Sequence, residues 1–303
     1  MSPGRYVFGS LPWYSLLIVC GIILALCISH AEEKRKGLPH DLTVDLALCV
    51  LPCGIIGARL YYVIFARNSF AADPVSILYI WKGGLAIYGG LLGGLLAAFV
   101  FSRVRRIPLR VLADMLLPGV ALAQAVGRWG NFFNMEAYGQ VITEPAWQFF
   151  PIAVQIPDSG GIVWHQATFF YESCWDFGIF LFLYINRRRF RRDGDTALWY
   201  VLLYAAGRQL IEGLRSDSLM GGSIRISQLL SALLLTVVLV IFCIRHLRQH
   251  KRQALPALLV FAVTAVCLLA SLFAGSMVFR LIPVGTAVLC GLMTCPPSGK
   301  EAA

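Results

Sequence analysis

Apolar runs long enough to cross a bilayer recur along this chain, separated by short polar stretches. Seven stand out, at residues 13–28, 42–65, 84–101, 111–126, 169–185, 197–211 and 226–244. Each is near the roughly 17–25 residues that an α-helix needs to span a hydrocarbon core, the shorter ones marginally. Helix is the default, because backbone polar groups in lipid must bond within their own segment and long alternating strands are absent. The first run lacks a small-residue cleavage site and is followed by more spans, so it reads as a retained helix rather than a signal peptide. A further apolar stretch, from Leu255 to about Cys295, is interrupted by Arg280 and Pro283 and fits one or two extra helices.

The basic residues alternate by loop. Lys34, Arg35 and Lys36 follow the first segment, and Arg103, Arg105, Arg106 and Arg110 follow the third. Arg187, Arg188, Arg189, Arg191 and Arg192 follow the fifth, and Arg245, Arg248, Lys251 and Arg252 follow the seventh. By the positive-inside rule these loops are cytoplasmic, which puts the N-terminus outside. Composition agrees with a polytopic membrane protein: 58% of the 303 residues are hydrophobic and only 14% are charged. A soluble domain carries about 25% charged residues. The net charge of +10 would suit nucleic acid, but its confinement to alternate loops argues against that partner. The nine cysteines mostly sit inside apolar runs without paired metal-ligand spacing, and read as small buried hydrophobes.

The longest loop between spans, about 127–166, falls on the outer face and predicts a small external head. It has strand-like patches at 141–143 and 152–156 and a turn at Asp158-Ser159-Gly160-Gly161.

Ionisable residues in or beside the spans carry the functional signal, because charge at mid-bilayer costs at least about 2.5–3.5 kcal/mol on the insertion scale. They are Asp45, Arg59, Asp114, Arg128, Glu136, Glu172, Asp176, Arg208, Glu212 and Arg215. The densest cluster is Gly127-Arg128-Trp129-Gly130-Asn131-Phe132-Phe133-Asn134-Met135-Glu136-Ala137-Tyr138-Gly139. Its glycines suit a turn with close ligand approach, Arg128 can fork onto a phosphate, and Asn131 and Asn134 add neutral donors and acceptors. Glu136 is expected to hold Arg128 or to act as a base. In a second cluster, Tyr204, Arg208, Glu212 and Arg215 recur every three to four residues, so a helix would stack them on one face as a second cationic wall. In a third, Gly89/Gly93 and Gly90/Gly94 are small-xxx-small pairs suited to tight helix contact, with Tyr88 just before them.

These pieces, in this order, resemble the prolipoprotein diacylglyceryl transferase family. The resemblance rests on Trp13-Tyr14, Gly57-Ala58-Arg59-Leu60-Tyr61-Tyr62, residues 81–94, the Gly-Arg-x-Gly-Asn-Phe-x-Asn-x-Glu pattern within 127–139, Thr168-Phe169-Phe170-Tyr171-Glu172 and residues 204–217. It spans about residues 12–245. It implies an all-α polytopic protein of the bacterial cytoplasmic (inner) membrane: seven core transmembrane helices, an external N-terminus and a small external head. Residues 1–245 would form this membrane domain, and 246–303 a basic linker with one or two extra C-terminal helices.

The implied reaction moves the diacylglyceryl group of phosphatidylglycerol to the lipobox cysteine thiol of a prolipoprotein, releasing glycerol phosphate. Its active site faces outward and it needs no cofactor and no metal. The candidate catalytic residues are Arg128, Arg208 and Glu136, which match the family, with Tyr88, which does not; the candidate substrate-binding residues are Arg128, Asn131, Asn134, Tyr14, Arg59, Tyr204, Glu212 and Arg215. Tyr88 stands where many members carry histidine, Met135 where the pattern usually has glycine, and Gln166-Ala167 where His-Pro commonly precedes the Tyr-Glu motif.

Arg128 and Arg208 would support the negative charge that grows on the departing phosphate. A thiol of pKa about 8.5 costs roughly 2 kcal/mol to deprotonate at pH 7, much of which an arginine pair can supply. A tyrosine of pKa about 10 is a poor base near neutrality, so Tyr88 suits hydrogen bonding to headgroup or thiol, and the sequence does not choose the proton acceptor. Two other readings use the same charges: a transporter or flippase for an anionic lipid, and a non-catalytic membrane scaffold. The first calls for matching repeats in two halves, which the chain lacks; the second needs no Arg, Asn and Glu cluster at one face.

Overall fold

A computed structural model describes the chain except for residues 1–3, 8, 10, 67–72, 159–160, 191, 217–219, 222–223, 250–253, 271–277 and 295–303. Arg191, Asp217, Lys251, Arg252, Cys295 and the Ser159-Gly160 tip of the expected turn therefore lie outside the described residues. The described chain is mostly helical and divides into two compact units, one of Leu26–Leu116 and a larger one of Met1–Ala25 with Leu117–Ala303.

All seven apolar segments form helices: α1 (Trp13–Arg35), α2 (Leu42–Phe65), α3 (Ile87–Arg105), α4 (Leu109–Gly127), then, after the short α5 (Trp129–Asn134), α6 (Thr168–Asn186), α7 (Asp195–Ile211) and α8 (Ile226–Gln249). Among the described residues five spans are long and apolar enough to cross a membrane: α1, α2, α3, α8 and the run Leu109–Asn134 that joins α4 to α5. Glu172, Ser173 and Asp176 dilute the apolar character of α6, and α7 has only 17 residues with Asp195 and Arg208 among them. The apolar side chains of the long helices point largely outward, as Ile23 of α1, Ile56 of α2 and Leu96 of α3 do. A surface so apolar is stable in lipid and not in water.

The smaller unit is built on α2 against α3. A Cβ on Gly57 would lie 2.5 Å from the Gly89 carbonyl oxygen and 3.0 Å from Gly93 Cα, so the two backbones touch. The glycine pairs thus serve packing, and Leu42, Leu46, Phe101, Leu112 and Met115 close the core beside them. Polar clasps tie the helix ends. Glu33 accepts the Thr43 N–H at 2.6 Å, Lys36 pairs with Asp114 at 3.3 Å, and Asp45 pairs with Arg105.

In the larger unit α1 crosses α4 through small residues: a Cβ on Gly119 would meet the Ala25 carbonyl at 2.6 Å, and one on Gly21 would meet that of Ala123 at 3.1 Å. The head carries an antiparallel hairpin, β1 (Ala153–Asp158) with β2 (Gly161–Gln166), in register from Ala153 opposite Gln166 to Asp158 opposite Gly161. The patch at 152–156 is thus a strand. That at 141–143 makes only a bridge, Val141 to His165, and β2 gave no clear signal in the sequence. The C-terminal stretch forms two helices, α9 (Ala254–Ala270) and α10 (Val278–Thr294). Arg280 and Pro283, expected to interrupt an apolar run, fall inside the first two turns of α10. The expectation that the cysteines are buried holds for only two of the eight described, and Cys267 is intermediate. Cys243 and Cys290 are buried, whereas Cys20, Cys27, Cys49, Cys53 and Cys174 lie on the outward faces of helices.

Candidate active site

The chain leaves α4 through Arg128, whose backbone stays helical (φ −58°, ψ −30°), and enters α5 directly. The glycine-rich cluster is therefore not a loose turn. It is a helix continued by the six residues of α5 and stopped by two left-handed residues, Met135 (φ 53°) and Ala137 (φ 54°). That explains the usual glycine at position 135, since a left-handed backbone strains any L side chain. Gly130 serves a different end: its missing Cβ would lie 2.6 Å from the ring of Tyr14, which packs against this backbone from the start of α1.

Glu172 is the centre of the site. From the second turn of α6 its Oε2 pairs with Nη1 of Arg128 at 2.6 Å, and its Oε1 with Nη1 of Arg208 on α7 at 2.8 Å. Nη1 of Arg215 approaches Oε1 at 3.4 Å, Asp176 one turn on meets Nε of Arg128 at 3.4 Å, and Glu212 holds Nη2 of Arg208 at 2.5 Å. Three guanidinium groups thus interlock with three carboxylates and the cluster is formally neutral. The carboxylates are almost wholly buried, while the side chains of Arg128 and Arg208 keep 19% and 18% of their surface accessible.

Flanking bonds fix α6 so that Glu172 faces this centre. Trp129 donates its indole N–H to Ser173 (3.1 Å), Ser173 donates to the Ala125 carbonyl (2.7 Å), and Trp175 donates to the Leu203 carbonyl (2.9 Å). The indole of Trp175 fills the space beside Gly207, where a Cβ would collide with it.

The structure brings together Arg128, Arg208, Glu212 and Arg215, but not as one helix face. Helix α7 ends at Ile211, residues Glu212–Leu214 form a 3-10 turn, and Arg215 is extended (ψ 141°), bridging Gly139 of the head. Tyr204 stacks on Tyr200 with ring centroids 5.7 Å apart, and Tyr200 donates to Gln124 at 2.8 Å. Glu136 does not take the expected partner: Asn134 donates to its Oε1 at 3.1 Å, and the carboxylates on Arg128 come from α6. Asn131 and Glu136 line a small cleft with Phe132, Tyr138 and Gln155.

Tyr88 and Arg59 belong to the smaller unit. Tyr88 opens α3 and its ring leans toward that of Tyr61. Arg59, expected to bind substrate, donates to the carbonyls of Ser76, Ile77, Gly83 and Gly84 at 2.7–3.0 Å and so braces the segment before α3. Glu172 and Asp176 are the residues that the sequence reading left out of the site. Their signal was present, as two carboxylates at i and i+4 on an apolar helix.

Similarity to other proteins accords with this arrangement. The profile of the family described as prolipoprotein diacylglyceryl transferase matches residues 6–244. The chain belongs to that family. Among its relatives, the phosphatidylglycerol–prolipoprotein diacylglyceryl transferase of Streptococcus mutans is 44% identical over 240 residues, covering 78% of this chain and 92% of the relative. That of Enterococcus faecalis is 44% identical over 250 residues (80% and 90%), and that of Clostridioides difficile 41% over 219 (72% and 84%). The transferase match takes in the whole Arg128–Arg208–Glu172 cluster and ends before α9 and α10.

Proposed function

We infer that this chain is a phosphatidylglycerol–prolipoprotein diacylglyceryl transferase of a bacterial cytoplasmic membrane, and that the cluster around Glu172 is its headgroup site. The supporting observation is single: arginines from the α4–α5 junction and from α7 converge on opposite oxygens of one carboxylate, 2.6 and 2.8 Å away. Two guanidiniums that share one carboxylate are spaced to share one phosphate, which offers the same fork geometry. A phosphodiester arriving there competes with Glu172 for both.

The step that follows breaks the bond between the diacylglyceryl carbon and the phosphate oxygen as the lipobox cysteine sulfur bonds to that carbon. The thiol gives up its proton, and the phosphate departs on glycerol with one more negative charge than it had as a diester. Arg128 and Arg208 stabilise that added charge more strongly than the single charge of the substrate, which is what lowers a barrier. The thiol proton passes to solvent while the arginine pair supports the thiolate, and Glu136, exposed and held by Asn134, lies beside the headgroup asparagines. Asn131, Asn134, Tyr14 and Tyr204 surround the headgroup, and Arg215 closes the site against the head.

In this reading α1–α4 and α6–α8 are seven crossings, and the even-numbered connections are external. The N-terminus and the head lie outside the membrane, as does the active site. Residues 1–245 carry the activity and 246–303 are an addition. The test is incubation of the purified protein with phosphatidylglycerol vesicles and a lipobox peptide. Release of glycerol phosphate with a thioether-linked lipid on the peptide is the expected result, and vesicles without phosphatidylglycerol give neither.

A further inference from the structure

Helices α9 and α10 lie beyond residue 244, where the family match ends, yet they are built into the larger unit against α7 and α8. Helix α10 turns one narrow face inward. Val284, Ala287, Cys290 and Thr294 are buried at spacings of three and four residues, while Leu289 and Met293 on the other side are exposed. Gly291 is part of the inward face: a Cβ there would lie 3.1 Å from Trp199, Leu202 and Phe242, so the helix approaches α7 and α8 as closely as a side chain allows.

Val284 forms a buried cluster with Ala206 and Leu210 of α7, and Trp175 of α6 packs against the same cluster. Ala206 and Leu210 stand two residues either side of Arg208. At about 100° per residue they occupy the α7 face opposite the one that sends Arg208 to Glu172. The turn that carries Arg208 is therefore gripped on two sides, by Glu172 in front and by the cluster of Val284 and Trp175 behind. Lipid tails on that back face would leave the rotation of α7 soft, whereas an interdigitated side chain fixes it.

We propose that α10 is a positioning element for the transferase site, with Val284 the residue that sets the Arg208 guanidinium against the lipid phosphate through α7. The proposal rests on the role given to Arg208 above. Val284 touches no substrate; it acts through the helix it backs.

A double-mutant cycle in the full-length protein, reconstituted in phosphatidylglycerol vesicles, tests it. The variants are Val284→Ala, Arg208→Lys and both together, with Leu46→Ala in the smaller unit as a core truncation for comparison. Val284→Ala is expected to lower kcat/KM for phosphatidylglycerol about tenfold, the scale of a sub-ångström misplacement. It leaves KM for the peptide unchanged, and exceeds the effect of Leu46→Ala at equal loss of thermal stability. In the Arg208→Lys background the same substitution changes the rate by less than about twofold, because the guanidinium it positions is gone. An equal loss in both backgrounds overturns the proposal while leaving the function intact. Full activity of Arg208→Lys overturns both. If Val284→Ala does not accumulate, Val284→Met enters the same cycle and is read the same way.

Discussion

Arg208 and Glu172 meet at 2.8 Å between α7 and α6, and the same carboxylate receives Arg128 at 2.6 Å on its other oxygen. This one side chain ties the end of α4 to two nearby points much later in the chain, Arg208 at the end of α7 and the extended residue Arg215. Breaking a buried ion pair from one side leaves its partners uncompensated, at a cost of about 3–5 kcal/mol. Glu172→Gln keeps the shape and removes the charge, so it should sharply lower the unfolding temperature in detergent and reduce transfer at least tenfold. A variant as stable and active as the parent would show that Glu172 does not organise the cluster.

The ring of Tyr14 occupies the space that a side chain at position 130 would need. Alanine in a helix is ordinarily about 1 kcal/mol better than glycine. Here the sign reverses: Gly130→Ala displaces the ring and should reduce transfer about tenfold. Adding Tyr14→Ala to Gly130→Ala should recover the stability but not the rate, which circular dichroism melts and product assays on the pair would separate.

Met135 holds a left-handed backbone at φ 53°. The strain for a residue with a Cβ is roughly 1–2 kcal/mol, partly offset by the greater chain entropy of glycine. Met135→Gly should therefore stabilise the protein by up to about 1 kcal/mol without loss of transfer, measurable as a rise in thermal midpoint. A fall would mean that the Met135 side chain contributes packing that outweighs the backbone term.

Arg59 braces four backbone carbonyls ahead of α3. Arg59→Ala deprives those acceptors of their partner and should raise amide hydrogen exchange across residues 76–88, with no change near Arg128. Lysine, with a single ammonium, should restore only part of the protection. Unchanged exchange in the alanine variant would return Arg59 to the substrate-binding role that the sequence suggested.

The helices were legible in the sequence because lipid allows little else: each apolar run became a helix, and 42–65 is the observed α2 to the residue. The ends were less so. Apolar character stops near residue 28, yet α1 runs to Arg35, where Arg35 reaches back one turn to the buried Glu32 at 2.6 Å and Glu33 is buried against Thr43. The convergence of Arg128 with Arg208 was expected from their family positions, but the group between them was not. Glu172 gives no local sign that it faces two arginines; that follows from how α6 is pinned by Ser173 and Trp175. Glu136 was expected to hold Arg128, its neighbour in one motif, or to act as a base, whereas past the left-handed Met135 it meets Asn134 instead. Backbone conformations of that kind are not written in hydropathy.

The central claim is that Arg128 and Arg208 hold one lipid phosphate. The most direct measurement is glycerol phosphate release from phosphatidylglycerol vesicles by purified, folded Arg128→Ala and Arg208→Ala proteins given a lipobox peptide. The account predicts that release falls to background in each, with no recovery at higher lipid content. Parental release from either variant would contradict it.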